Sequence, residues 1–198
     1  MHSHQGSVID SDEQIILDIR QGNPRRYSVL LDRHKDRAMT LAVRLVGNRH
    51  EAEELVQDAF VRAYNHLEQF RGDAKFSTWF YRILYNVCMT RVTRRQPARE
   101  TVEVDDANAK DKLTMQDCSP LERLEDAELQ EIIRREIETL PEKYRTHITL
   151  FYVQEMSYEQ IGEVLGLPVG TVKTNLFRAR TRLRVNVLSR LHDEVKVA

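Results

Sequence analysis

The sequence predicts an all-α chain: two small helical domains joined by a flexible linker, the second containing a helix-turn-helix. Three observations carry that prediction. Apolar residues recur at helical spacing in most segments, and no period-two alternation persists long enough to argue for a sheet. The chain has only seven glycines and five prolines in 198 residues, and most of them mark helix ends. One polar, acidic stretch between Pro97 and Pro120 lacks either period and breaks the helical pattern.

The elements follow in order. Residues 1–10 are polar and read as a mobile tail. A short helix spans about Asp12 to Arg20 and stops near Gly22. Asn23 is placed to cap the next, with Pro24 in its first turn. That helix turns Tyr27, Leu30, Leu31, His34, Ala38, Leu41 and Leu45 inward and ends at Gly47. A third, from about His50 to Leu67, buries Ala52, Leu55, Val56, Ala59, Phe60 and Ala63. A fourth begins near Ser77 with Phe80, Ile83, Leu84, Val87 and Cys88 inward. From Glu100 to Asp117 there are six acids and two lysines, so residues 97–120 read as a flexible acidic linker. Helices resume near Leu121, where Leu129, Ile132, Ile133, Ile137 and Leu140 share a face, and Pro141 opens a helix carrying Ile148 and Phe151 inward. The domains are thus about 11–96 and 121–192.

The segment Ser157 to Arg184 is the most specific. Ser157 and Gln160 have the spacing of a capping box, and Ile161, Val164 and Leu165 share one face. Gly166 suits a left-handed stop and Pro168 the first turn of a second helix. Val172, Leu176, Ala179 and Leu183 form that helix's apolar stripe. Gly170, Thr174, Phe177 and Arg178 lie opposite, with Lys173 at the edge. No acid occurs from Val164 to His192, whereas Lys173, Arg178, Arg180, Arg182, Arg184 and Arg190 do. A one-sign stretch on a helix-turn-helix fits duplex DNA, with the second helix in the major groove. Bare backbone at Gly170 lets phosphate come close, and an outward ring at Phe177 suits a thymine methyl.

Two other regions are ambiguous on physics alone. Six of the fourteen aromatic residues lie between Phe70 and Tyr85, interleaved with Arg71, Lys75 and Arg82. Rings plus cations suit single-stranded nucleic acid. Phe76 and Phe80 also align with the core stripe, so Tyr81, Arg82, Tyr85 and Asn86 are the better contacts. The helix from Arg49 to Gln69 is acidic, with Glu51, Glu53, Glu54 and Asp58. It is either a solvated face or a docking surface for a basic or helical protein.

The net charge of −1 hides this segregation and by itself excludes little. No apolar run is long enough to cross a membrane and no signal peptide is seen, so a cytoplasmic protein without membrane insertion is expected. Cys88 and Cys118 form no CxxC, and Cys88 falls on an apolar face. The seven histidines show no metal-ligand spacing, and HExxH, GxSxG, P-loop and GxGxxG motifs are absent, so neither catalysis nor a cofactor is implied.

Two segments, EAEELVQDAFVRAYNHLEQFRGDAKFSTWFYRILYNV and LPEKYRTHITLFYVQEMSYEQIGEVLGLPVGTVKTNLFRARTRLR, resemble the second and fourth regions of extracytoplasmic-function (ECF) RNA polymerase sigma factors, in the family's order. The resemblance covers about residues 12–96 and 121–190. It implies an alternative sigma factor that binds core RNA polymerase and directs initiation. The promoter's minus-thirty-five element would be read as duplex and the minus-ten element as melted strand. Glu54, Leu55, Gln57, Asp58, Phe60 and Arg62 would grip the coiled coil of the largest polymerase subunit, with the fourth region on the flap. Phe70, Arg71, Lys75, Phe76, Trp79, Arg82 and Asn86 would serve the minus-ten element. Lys173, Thr174, Phe177 and Arg178 would serve the upstream element, with Arg145 and Tyr158 on phosphates. An anti-sigma factor is the expected inhibitory partner. Asn175, where the family often has arginine, would remove a phosphate contact or favour adenine, and Gly162, where alanine is common, would weaken its helix by up to ~1 kcal/mol. The rival reading is a conventional helix-turn-helix repressor or activator that binds duplex DNA without polymerase.

Overall fold

A computed structural model describes residues 10–95 and 127–197. The expected linker 97–120 and the segment from Leu121 to Asp126 lie outside the described residues. Eight α-helices fill the described chain, with no strand among them. They are α1 (Asp12–Arg20), α2 (Tyr27–Val46), α3 (Arg49–Asn65), α4 (Phe76–Arg95), α5 (Ala127–Thr139), α6 (Glu142–Ile148), α7 (Tyr158–Leu165) and α8 (Val169–Val197).

Local chemistry sets most boundaries. Ser11 caps α1 by accepting from Gln14 N at 3.3 Å, and Asn48 caps α3 by accepting from Glu51 N at 3.0 Å. Gly47 closes α2 in the left-handed region at φ 73°. Asn23 does not cap as expected. Pro24 first opens a 3-10 turn, Pro24–Arg26, and α2 begins only at Tyr27; Asn23 accepts from Arg26 N through its carbonyl at 3.2 Å, and its side chain makes no cap bond.

In the first half α2, α3 and α4 pack on one another, with α1 laid across α2. Leu30, Ala38, Leu41, Ala59, Phe80 and Leu84 are sealed in this core, and Phe60 stacks on Phe80 at 4.3 Å between ring centroids. Each such leucine or phenylalanine side chain contributes roughly 1.5–3 kcal/mol of burial. In the second half α5, α6 and α7 pack around α8, and Ile148, Leu150, Ile161, Val164, Val172 and Leu176 form the interior.

The two helical domains pack against each other. α4 packs on α7 and α2 on α6, and the buried residues form one continuous cluster. Two arginines of α2 reach across. Arg44 donates to Thr149 Oγ1 at 3.0 Å and lies 3.6 Å from Glu138, while Arg37 lies 3.5 Å from Glu155. Gln154, itself buried, donates to the Arg37 carbonyl at 2.8 Å. Every second-half partner in this set except Glu138 comes from one irregular stretch. A π-helical turn, Thr149–Val153, follows α6, and Glu155 adopts a left-handed φ of 56°. Both are uncommon for such residues and are held there by the surrounding contacts.

Candidate nucleic-acid interface

The helix-turn-helix forms as its sequence dictates. Both capping-box bonds are made: Gln160 N donates to Ser157 Oγ at 3.2 Å, and Ser157 N donates to Gln160 Oε1 at 2.8 Å. Gly166 ends α7 at φ 68°, and Val172 N returns to Pro168 O at 3.1 Å to start α8. Gly162 has a role that helix propensity hides. A Cβ at this position would stand 2.8 Å from the Leu167 carbonyl, so the turn between the helices needs a glycine there. The expectation that it simply weakens α7 is corrected: alanine would collide with the turn's own backbone.

On α8 the apolar stripe is buried at Val172, Leu176 and Ala179, which aims Lys173, Thr174 and Phe177 outward. Phe177 keeps 43% of its surface exposed, and Arg178 is half-buried beside it. A Cβ at Gly170 would meet nothing within 4 Å, so the chain leaves that backbone bare. Asn175 is corrected. It is only 4% exposed, on the inner side, with its amide 3.3 Å from His147 Nε2. His147 Nδ1 faces the Lys143 carbonyl at 2.6 Å, so Nδ1 donates and Nε2 accepts from Asn175. Burial holds His147 below its ordinary range, in keeping with this neutral ring.

Not all the basic residues of α8 are free. The Arg180 guanidinium lies over the rings of Phe151 and Tyr152, at 4.9 and 5.6 Å, and donates to the Tyr152 hydroxyl at 2.9 Å. Arg182 lies 5.1 Å from the Tyr144 ring. Lys173, Arg178 and Arg184 form no ion pair among the described residues. Of the two expected phosphate contacts, Tyr158 stacks on Phe151 at 5.3 Å with Lys173 near its face, and Arg145 sits 3.3 Å from Glu138.

The α4 region is organised differently. Phe70 and Phe76 are 6% and 0% exposed, and with half-buried Trp79 they form a ring cluster with centroids 5.2–6.1 Å apart. These rings hold the loop rather than face outward, and Trp79 alone keeps an open edge. Tyr81 departs from its expected outward place. It is 2% exposed because α2, α3 and α7 all pack on α4, and burial raises its pKa. Tyr85 is half-buried near Glu142. Arg71, Lys75, Arg82 and Asn86 are exposed, and the three cations form no ion pair among the described residues.

On α3, Leu55 and Phe60 are core, 3% and 5% exposed, whereas Glu54, Gln57 and Arg62 are exposed and Asp58 is half-buried. Arg62 holds Asp58 through two bonds of 2.9 Å. Arg91 pairs with Glu51 at 3.2 Å and Glu54 at 3.8 Å, and Arg95 also pairs with Glu51, so α3 neutralises part of α4's basic end. Arg62 and Asn86 meet across an open groove of about 240 Å³ between α3 and α4, lined also by His66, Ile83, Val87 and Thr90. Cys88 is sealed, and burial pushes its thiol up to about 12. Sequence reasoning overlooked Arg20, which binds the segment leading into the Phe70 loop. No local pattern marks a contact 50 residues distant.

An all-helical chain with a basic, outward-facing helix-turn-helix behind an acidic helix and a cationic loop is built as a transcription factor. Residues 30–98 match the family model for sigma-70 region 2, and residues 130–183 that for sigma-70 region 4. The ECF RNA polymerase sigma factor SigW of Bacillus subtilis is 36% identical over 173 residues, 85% of this chain and 92% of that protein. The ECF sigma-E factor of Haemophilus influenzae is 34% identical, over 86% of this chain and 92% of its own length. The chain therefore belongs to the ECF RNA polymerase sigma factors. Its fold matches that of CnrH, solved with the cytosolic domain of CnrY, at a TM-score of 0.63, 24% identity, and coverage of 91% of this chain and 99% of that one. It also matches Bartonella quintana RpoE, solved with the anti-sigma factor NepR, at a TM-score of 0.57, 22% identity, and coverage of 86% and 96%. Among the described residues no helix is long and apolar enough to cross a membrane.

Proposed function

We propose that this sigma factor reads a promoter at two separate places while bound to core polymerase. The observation that carries the reading is the outward face of α8. Lys173, Thr174, Phe177 and Arg178 stand beside bare backbone at Gly170, on a helix fixed by a capping box and a buried stripe. That face suits the minus-thirty-five duplex. Arg71, Lys75, Arg82 and Asn86, with the open edge of Trp79, suit an unstacked minus-ten strand; Phe70 and Phe76 serve by holding the loop. On α3, Glu54, Gln57, Asp58 and Arg62 would meet the polymerase coiled coil, with Leu55 and Phe60 fixing the helix beneath them. The fourth region would sit on the flap. Arg145 and Tyr158 flank the helix-turn-helix as phosphate contacts of second rank. The domain roles follow: residues 11–96 for core and minus-ten, 121–192 for minus-thirty-five, joined through 97–120.

The packed arrangement has a consequence. The two elements lie at separate places along the promoter duplex. Helices α4 and α7 are in contact, so on this reading the halves part before one molecule holds both elements. An anti-sigma partner, of the kind solved with RpoE, would act by favouring the packed form.

The test is an electrophoretic shift on a promoter fragment, with and without core polymerase. Specific binding that requires core supports the proposal. Tight specific binding by the chain alone, unaffected by core, identifies a conventional repressor or activator instead.

A further inference from the structure

Arg20 closes α1, and its guanidinium leaves its own helix. Nη2 donates to Leu67 O at 2.8 Å, to Glu68 O at 3.3 Å, and to Phe70 O. These carbonyls belong to the 3-10 turn Leu67–Gln69 and the residue after it. The turn makes only the backbone bonds Gln69 N to His66 O, 2.9 Å, and Phe70 N to Leu67 O, 3.2 Å, before the chain turns away. Carbonyls at such an end need partners, and a guanidinium is the strongest donor available to them.

Phe70 is consequently held twice: its carbonyl by Arg20 and its ring by Phe76 and Trp79. Phe76 opens α4 and is fully buried. Between these two fixed points runs a short arch from Arg71 to Lys75, with Gly72 at a left-handed φ of 83°. Both cations of the arch point to solvent. The arm that places Arg20 is itself anchored. Asp12 bonds His34 Nε2 on α2 at 2.8 Å, and Asp18 accepts from Arg26 Nε of the preceding 3-10 turn at 3.1 Å, which fixes α1 against both.

We propose that Arg20 is a positioning residue for the minus-ten strand. It fixes the Phe70 carbonyl and so presets the arch for an unstacked base, without touching that base. This rests on the reading of the arch given above. Presetting lowers the ordering cost that binding would otherwise carry, so its loss falls on strand affinity alone.

The test uses the full chain assembled with core polymerase. The probe is the single-stranded minus-ten segment of a promoter selected by the wild-type holoenzyme from a random library. Its scrambled permutation and the upstream duplex are controls. Fluorescence anisotropy of Arg20→Ala is expected to show about tenfold weaker strand binding, in line with lost charge-assisted bonds. Duplex and core affinities stay at wild-type values, and amide exchange at residues 71–75 accelerates. Arg20→Lys, with three donors on one ammonium, recovers part of the loss. Lys75→Ala, on the arch itself, separates the two claims. Weakening by Lys75→Ala with none by Arg20→Ala overturns the role of Arg20 and leaves the arch reading standing. No effect from either overturns both. Equal losses on strand, duplex and core show a purely structural arginine and overturn the proposal.

Discussion

Phe80 and Phe177 are the same residue in two segments whose charge suits nucleic acid, yet one is 0% exposed and the other 43%. The difference lies in how far around each helix its neighbours reach. α4 is covered by α2, α3 and α7, so Phe76 and Phe80 are interior and even Tyr81, off the core stripe, is buried. α8 is packed by α5, α6 and α7 on one face, so the opposite stripe of its first turns stays open. A helix wrapped on several sides presents its contacts from its loop and its ends. A helix wrapped on one side presents them from its face.

The comparison is sharpest under mutation. Phe80→Ala is expected to cost about 3–5 kcal/mol of stability, measured by urea unfolding, as for other large buried rings. An effect below about 1 kcal/mol would mean that α4 is not core. Gly162→Ala should cost about 1–3 kcal/mol, because its Cβ meets the Leu167 carbonyl rather than a pliable side chain. Stabilisation by alanine, as helix propensity alone predicts, would refute the close approach. Arg178→Ala should weaken upstream duplex binding by about 1–3 kcal/mol, as for a base contact, while polymerase pull-down stays unchanged. Phe177→Ala should leave stability within about 0.5 kcal/mol, as expected for an exposed site, yet reduce the same duplex affinity.

The buried titratable groups give two smaller tests. His147 is held below its ordinary range by burial, so the folded state resists its proton. Its contribution is present above the unfolded value near 6.5 and fades as pH falls toward the lowered folded value. His147→Gln should flatten that slope in denaturation curves taken from pH 7 downward. Cys88, with its thiol pushed up to about 12, should not react with thiol reagents at neutral pH until the chain unfolds.

Much of this was legible in the residues. Ser157, Gln160, Gly166 and Gly47 act through neighbours within four positions, and their spacing announces caps and stops before any fold is known. The buried stripe of α8 likewise fixes which of its side chains face out. What escaped depends on distant partners. Asn175 turns inward because His147 lies 28 residues away, and Gly162 is demanded by a carbonyl brought back by the turn. Tyr81 is buried by helices whose approach no periodicity records. The Arg37 and Arg44 contacts between the halves, and the reach of Arg20 to Phe70, belong to the same class.

The claim that the halves must part to read a promoter is open to one direct measurement. Spin labels at Thr93 on α4 and Ser189 on α8, both exposed, would be placed in a chain with Cys118 replaced by serine. Dipolar spectroscopy would then compare the free chain with its complex of core polymerase and promoter. A single narrow distance in the free chain that lengthens markedly in the complex is the expected result. The same distance in both states would contradict it.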